Sequence, residues 1–372
     1  MTEPDTPRSD DSREGRPAGP SGWHAGGSGG VAPPGQALLT VTDLHSYLAT
    51  DQGVVRAVDG VSLTVHEAEI LGIVGESGCG KTVTCRTIMG LMPASTLHAS
   101  GEVIYHPHGE RSILSAKQAE WEALRGSQLA MIFQDPMTAL NPVRTIGDQL
   151  LEAVTAHAKL SRAEAQDKAV SLLERVGIPA PVRRLRDYPF QFSGGMLQRA
   201  LIAIALASSP RLLLADEPTT SLDVIIQDQI LSLLLGLQQD TGMSMILVSH
   251  DLAVITEVCD RIVVMYAGQI VEQGVTADII SEPKHPYTQA LLDALPQAGQ
   301  HGELRSIRGS PPSLIDVPSG CRFAPRCRYV VDECRSWDTE LLDTGEREHA
   351  ARCWRHQEIG RSEEAWQGSD SA

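Results

Sequence analysis

Strands that alternate with helices predict an α/β fold for this chain of 372 residues. The expected form is a largely parallel αβα core with an antiparallel β subdomain, a helical subdomain and a small cysteine-bearing C-terminal appendage. Three observations predict it. Four short apolar runs, Ile70–Val74, Ala130–Phe133, Leu212–Ala215 and Met245–Ser249, have the length and composition of buried strands. Residues 39–71 read as antiparallel strands turning at Asp51, Gln52 and Gly53. Between Met137 and Gln191, the segments Ile146–Ala158 and Ala163–Val176 have helical periodicity, and Gly177 ends the second.

The first buried strand leads into Gly75–Thr82, GESGCGKT, which fits GxxxxGK[ST] in its required strand–loop–helix setting. Glycines at Gly75, Gly78 and Gly80 let the backbone curl so that its N–H groups face phosphates at a helix start, where the dipole also favours anions. Glu76, Ser77 and Cys79 complete the loop, with Cys79 read as packing or as an exposed thiol. Lys81 is expected on the β and γ phosphates, and Thr82 supplies a hydroxyl to Mg²⁺. Gln134, at the end of the second strand, is placed to contact Mg²⁺ or water. The third strand ends in two carboxylates: Asp216 is read as the metal-side acid and Glu217 as the general base. His250 closes the fourth strand, where an imidazole meets the γ phosphate and the attacking water.

Read in chain order, Gly75–Thr82, Gln134, Ser193–Gly195, Asp216–Glu217, Ser221–Asp223 and His250 resemble the Walker A, Q loop, signature, Walker B, D loop and switch histidine of an ABC transporter ATPase subunit. The likeness spans roughly residues 39 to 295 and implies a P-loop ABC ATPase with a RecA-like core, placed at 38–296 with its helical subdomain at about 137–191. It also implies a head-to-tail dimer, in which Ser193, Gly194, Gly195 and Met196 act on ATP held by the partner subunit's Walker A. The D loop is then Ser221, Leu222 and Asp223. The signature departs from the usual LSGGQ, since Phe192 and Met196 flank the intact Ser-Gly-Gly. For the adenine platform the resemblance points to Tyr47, with Leu48 as the alternative register, because a shift of one residue moves a side chain to the other face of the strand.

Three further segments, Val55–Leu63, Ile132–Pro142 and His285–Pro296, look like the ATPase subunits of oligopeptide, dipeptide and nickel importers. That resemblance implies an enzyme that hydrolyses ATP with Mg²⁺ to power peptide uptake, with nickel or another small solute as the alternative cargo. Its implied partners are a second ABC ATPase subunit, either a paralogue or another copy of the chain, two membrane permease subunits and an extracytoplasmic substrate-binding protein. The implied location is peripheral, on the cytoplasmic face of the membrane, with residues about Asp135 to Pro142 receiving a coupling helix. A soluble non-transport ABC ATPase is the other class. Translation types carry two cassettes and repair types interrupt theirs with a coiled coil, patterns not found in this sequence. A silent subunit is disfavoured because Lys81, Asp216, Glu217 and His250 are all present.

Four of the seven cysteines, Cys321, Cys327, Cys334 and Cys353, cluster at 297–356 with gaps of five, six and eighteen residues. Such clustering suggests one tetrahedral thiolate site. Resemblance to dipeptide-type importers implies a 4Fe-4S cluster there; zinc, no ligand, and disulfides are the alternatives, zinc sites usually having CxxC pairs. Arg322, Arg326, Arg328, Arg335 and Arg352 lie among the thiols, where they would offset a cluster's negative charge.

A net charge of −16 argues against nucleic acid or an anionic lipid surface as a direct partner. Apolar runs fall well short of a membrane span: Ala200–Ala207 is broken by Ser208, Ser209, Pro210 and Arg211. Attachment to a membrane protein is therefore expected. Residues 1–37, rich in Gly, Pro, Ser, Asp and Arg and without an apolar h-region, read as a disordered tail, as do 357–372.

Overall fold

Two sheets with a shared layer between them position everything that follows. The computed structural model describes residues 35–92, 95–220, 222–295, 307–337, 339–345 and 348–359. Ser221 and nearly all of both expected tails lie outside the described residues.

The expected antiparallel region is a hairpin of β1 (Ala37–Thr50) and β2 (Gly53–His66), with β3 (Ile70–Val74) beginning the main sheet. The predicted turn falls at its tip, where Gly53 has φ of 137°, a conformation that favours glycine. A third antiparallel strand, β4 (Thr96–Tyr105), completes this sheet in the order β2-β1-β4 and had no counterpart in the sequence reading. Its polar, half-exposed residues lack an apolar alternation.

The main sheet continues with β5 (Leu129–Ile132), β6 (Leu212–Asp216), β7 (Ser244–Ser249), β8 (Arg261–Tyr266), β9 (Gln269–Val275), β10 (Leu342–Asp343) and β11 (Ala350–Ala351). Its order is β10-β11-β9-β8-β3-β7-β6-β5. Pairing is parallel from β8 through β5 and antiparallel beyond β8. The four strands expected from apolar runs are all present, each buried along its length. Side chains alternate faces along them. Ile70, Leu213, Ala215, Met245 and Leu247 therefore enter one core layer with the helices, while Leu71, Ile73, Leu212, Leu214, Ile246 and Val248 enter a second layer beneath the antiparallel sheet. Gly72 interrupts β3 for a packing reason: a Cβ there would lie 2.6 Å from Ile255 Cγ2 and 2.9 Å from Cys259 Sγ.

Both helices expected from periodicity are present. They run Ile146–Thr155 and Arg162–Arg175, each within a few residues of the expected bounds. Ser161 and Glu164 form a capping box at the second, which stops at Gly177 with φ of 75°. Leu150, Val154, Ala169 and Leu173 pack into the first core layer with Leu197 and Leu201 of the helix Gly194–Ala205. Among the described residues no helix is long and apolar enough to cross a membrane.

Candidate active site

Parallel strands deliver their C-terminal ends to one edge, and the loops there carry the chemistry. From β3 the chain enters Gly75–Thr82 and then the helix Lys81–Ile88. Gly80 has φ of 108°, and a Cβ on it would lie 2.1 Å from the Ala57 carbonyl oxygen, so no side chain fits this turn. Lys81 is buried, its Nζ donating to the Gly75 carbonyl at 2.7 Å and to that of Glu76 at 3.3 Å. Cys79 is buried, which resolves its reading in favour of packing, and burial pushes its thiol above the ordinary range.

From β6 come the two carboxylates. Asp216 accepts from Thr82 Oγ1 at 3.0 Å, while its other oxygen, Oδ2, is buried without a hydrogen-bond partner. Burial raises its pKa, opposed by the Thr82 hydrogen bond and reinforced by the charge of Glu217. An orphaned buried carboxylate oxygen beside a threonine hydroxyl suits a hard divalent cation. Glu217 sits at φ of 46°, a left-handed conformation that costs a non-glycine residue energy. Gln134 Nε2 and Thr220 Oγ1 each donate to its Oε2 at 2.9 Å. Lys81 Nζ lies 3.7 Å from Oε1, and His250 Nδ1 lies 3.5 Å from Oε2. Residues from four strand ends thus converge on one carboxylate.

Thr220 went unnoticed in the sequence, although a hydroxyl three residues beyond a turn carboxylate is a recognisable local pairing. Tyr287 was also missed: its hydroxyl accepts from the Glu76 N–H at 2.9 Å across 211 positions. No local pattern foretells that contact.

Ser193–Met196 lie elsewhere. Ser193 caps the helix Gly194–Ala205, its Oγ accepting from Met196 N at 3.4 Å. Among the described residues no hydrogen bond joins Ser193, Gly194, Gly195 or Met196 to Gly75–Thr82. Of the expected D loop, Asp223 caps the helix Val224–Thr241 through Ile226 N at 3.0 Å, and Leu222 lies beside Gly194. Tyr47 pairs with Arg56 and His98, and its hydroxyl donates to Asp59 Oδ1 at 2.5 Å. Leu48 pairs with Val55 on the opposite face. Burial pushes the Tyr47 phenol up to about 12, with its hydrogen bond to Asp59 adding to the rise.

In the C-terminal segment Cys321, Cys327, Cys334 and Cys353 all line one cavity, together with His285, Phe323, Trp337 and Trp354. None forms a disulfide. Burial, then the neighbouring thiols, push Cys327 up to about 11 and Cys353 up to about 12 despite backbone hydrogen bonds that oppose the shift. Among the described residues no group of three or more His, Cys, Asp or Glu is arranged to hold a single metal ion. Two of the arginines expected to offset cluster charge have other partners in the fold. Arg322 instead pairs with Asp59 and donates to the Ala267 carbonyl, and Arg326 pairs with Glu76. Their guanidinium groups go to carboxylates because an anion already in the fold captures the charge.

The chain matches the ABC transporter family over residues 58–220 and the oligopeptide/dipeptide transporter C-terminal region over 271–334. It is 47% identical over 330 residues to a probable peptide ABC transporter ATP-binding protein of Sinorhizobium fredii, covering 88% of this chain and 97% of that one. The dipeptide transport ATP-binding protein DppD of Bacillus subtilis is 47% identical over 323 residues, covering 86% and 95%. Among solved structures, the dimeric ATP-binding cassette MJ0796 bound to ADP and Pi superposes with a TM-score of 0.57 at 25% identity, covering 64% of this chain and 98% of that chain.

Proposed function

The chain belongs to the ABC transporter family of ATP-binding subunits, and we propose that it hydrolyses ATP at the Lys81–Glu217 site to power peptide uptake through a membrane permease. It is an ATPase coupled to peptide transport. The observation that carries the residue assignment is the convergence of Lys81, Gln134 and His250 on Glu217, beside the unpartnered oxygen of Asp216.

Thr82, Asp216 and Gln134 would hold Mg²⁺, which when bound neutralises charge on the β and γ phosphates. Lys81 and the loop N–H groups bind the triphosphate. Glu217 orients a water and takes its proton as the water oxygen bonds to the γ phosphorus and the bond to the ADP oxygen breaks. Gln134 and Thr220 fix the Glu217 side chain, and His250 contributes from the solvent side, where it is half exposed. Ser193–Met196, at a helix N-terminus and exposed or half-exposed, serve ATP on a second cassette. The partner cassette, two permease subunits and a binding protein complete the importer, with this chain peripheral on the cytoplasmic face.

For the C-terminal cavity we propose a 4Fe-4S cluster held by Cys321, Cys327, Cys334 and Cys353. Four thiols line that one cavity, and four cysteine thiolates are the donor set such a cluster takes. Protein purified without oxygen should be brown, and Cys327→Ser with Cys334→Ser should bleach it; colourless protein would remove the cluster from consideration.

Uptake of labelled dipeptide, longer peptide and Ni²⁺ in the native cell, with wild-type chain or Glu217→Gln, tests the function. Selective loss of peptide uptake is expected. Loss of Ni²⁺ uptake alone would reassign the cargo, and no loss at all would overturn the importer reading.

A further inference from the structure

We propose that Arg326, in the thiol-bearing C-terminal segment, is a positioning residue of the ATP site: it clamps Glu76 and cancels that carboxylate's charge inside the phosphate loop. The inference rests on the reading of Gly75–Thr82 as the loop that binds ATP.

The clamp is bidentate. Arg326 donates from one terminal nitrogen to Glu76 Oε2 at 2.6 Å and from the other to Oε1 at 3.0 Å. Its remaining donors are also engaged: Nε to the Arg308 carbonyl at 2.8 Å, and the terminal nitrogens to Tyr266 Oη at 3.2 Å and to the Gly309 carbonyl at 3.4 Å. A guanidinium has five N–H donors in a rigid fork, and here that fork has a partner on every side. Tyr266 and Phe323 present their rings to the same group, its carbon lying 5.7 and 5.9 Å from their centroids. The side chain is only 5% exposed. Such complete satisfaction fixes Arg326, and Arg326 fixes Glu76.

Glu76 is the second residue of a loop whose amides receive a polyanion. Left unpaired, its carboxylate would repel the triphosphate and compete for the same amides. Two devices hold it away, both from beyond the phosphate-loop strands: Arg326 takes the side chain, and the Tyr287 hydroxyl takes the backbone N–H at 2.9 Å. Arg326 directly precedes Cys327, so the segment that carries the thiols also shapes the loop that binds phosphate.

Binding of a fluorescent ATP analogue to the purified full-length chain tests this, with melting curves run on every variant. Arg326→Gln should weaken binding about tenfold, the loss typical of one charge-assisted pair. Arg326→Lys should fall between, because an ammonium keeps the charge and loses the fork. Adding Glu76→Gln to Arg326→Gln should restore most of the affinity, a suppression that a purely structural arginine would not give. Wild-type affinity for Arg326→Gln, or a double variant as weak as the single, would overturn the proposal. Lys81→Ala separates the two failures: if it binds the analogue normally, the phosphate-loop reading itself falls and the clamp's purpose with it.

Discussion

Where the main-sheet strands end, each acidic or basic group touches another polar group, whereas in the C-terminal cavity four thiols lie among aromatic rings. Glu217 is hydrogen-bonded by Gln134 and Thr220, with Lys81 and His250 within 4 Å. The cavity thiols are instead surrounded by Phe323, Trp337 and Trp354. The difference follows from what each group tolerates. A buried charge needs partners, while a neutral thiol behaves as a small apolar group. Burial accordingly raises the Cys327 and Cys353 thiols above their ordinary range. One region is a network that strand topology assembles; the other is a pocket of thiols from segments outside the main-sheet strands.

Three perturbations divide these regions. Glu217→Gln should cut phosphate release, assayed with the partner cassette, by roughly a thousandfold, the scale of a lost general base, while leaving the thiol cavity's absorption unchanged. Equal hydrolysis would remove the base from Glu217. Arg322→Ala should cost about 3 kcal/mol in urea unfolding, because Asp59 would stay buried without its cation. An unchanged unfolding midpoint would mean that the segment does not lean on the antiparallel sheet through this pair. The third perturbation, silent at neutral pH, is at His285, whose Nδ1 accepts from the Tyr287 N–H at 3.1 Å. Burial, with the Arg352 charge adding to it, pushes this imidazole down from 6.5 to about 3. Between those values the unfolded chain takes a proton that the folded chain refuses, so stability falls as pH drops from 6.5 towards 3. His285→Asn keeps a capping acceptor and should flatten that part of the acid dependence; an identical slope in both proteins would exclude His285 as its source.

Much of the candidate site was legible because its groups sit at the ends of apolar runs, where strand, loop and carboxylate are neighbours in sequence. Asp216, Glu217 and His250 are of this kind. Partners that arrive from far along the chain were not legible: Arg326 reaches Glu76 across 250 positions and Tyr287 across 211. Arg322 and Arg326 were assigned to the thiols beside them in sequence, and the fold supplied Asp59 and Glu76 as their partners. The register around Tyr47 was not legible for another reason. The pairing of β1 with β2 shifts between Ser46 and Tyr47, leaving Ala57 without a partner, and counting alternate residues cannot detect such a bulge. Strands β8 and β9 were overlooked although β8 is apolar, because their antiparallel return carries no motif to anchor it.

Arg322 and Arg326 also bear on whether the C-terminal segment is portable. Each immediately neighbours a thiol, and each ends on a carboxylate of the nucleotide-binding half, Asp59 or Glu76. Grafted onto a cassette with neutral residues at those two positions, the segment would bring two nearly solvent-free guanidinium groups with no anion to receive them, several kcal/mol apiece by the scale for broken buried pairs. Chimeras that exchange this region should therefore fold only when both carboxylates travel with it, so the unit of inheritance is a segment together with two distant acids.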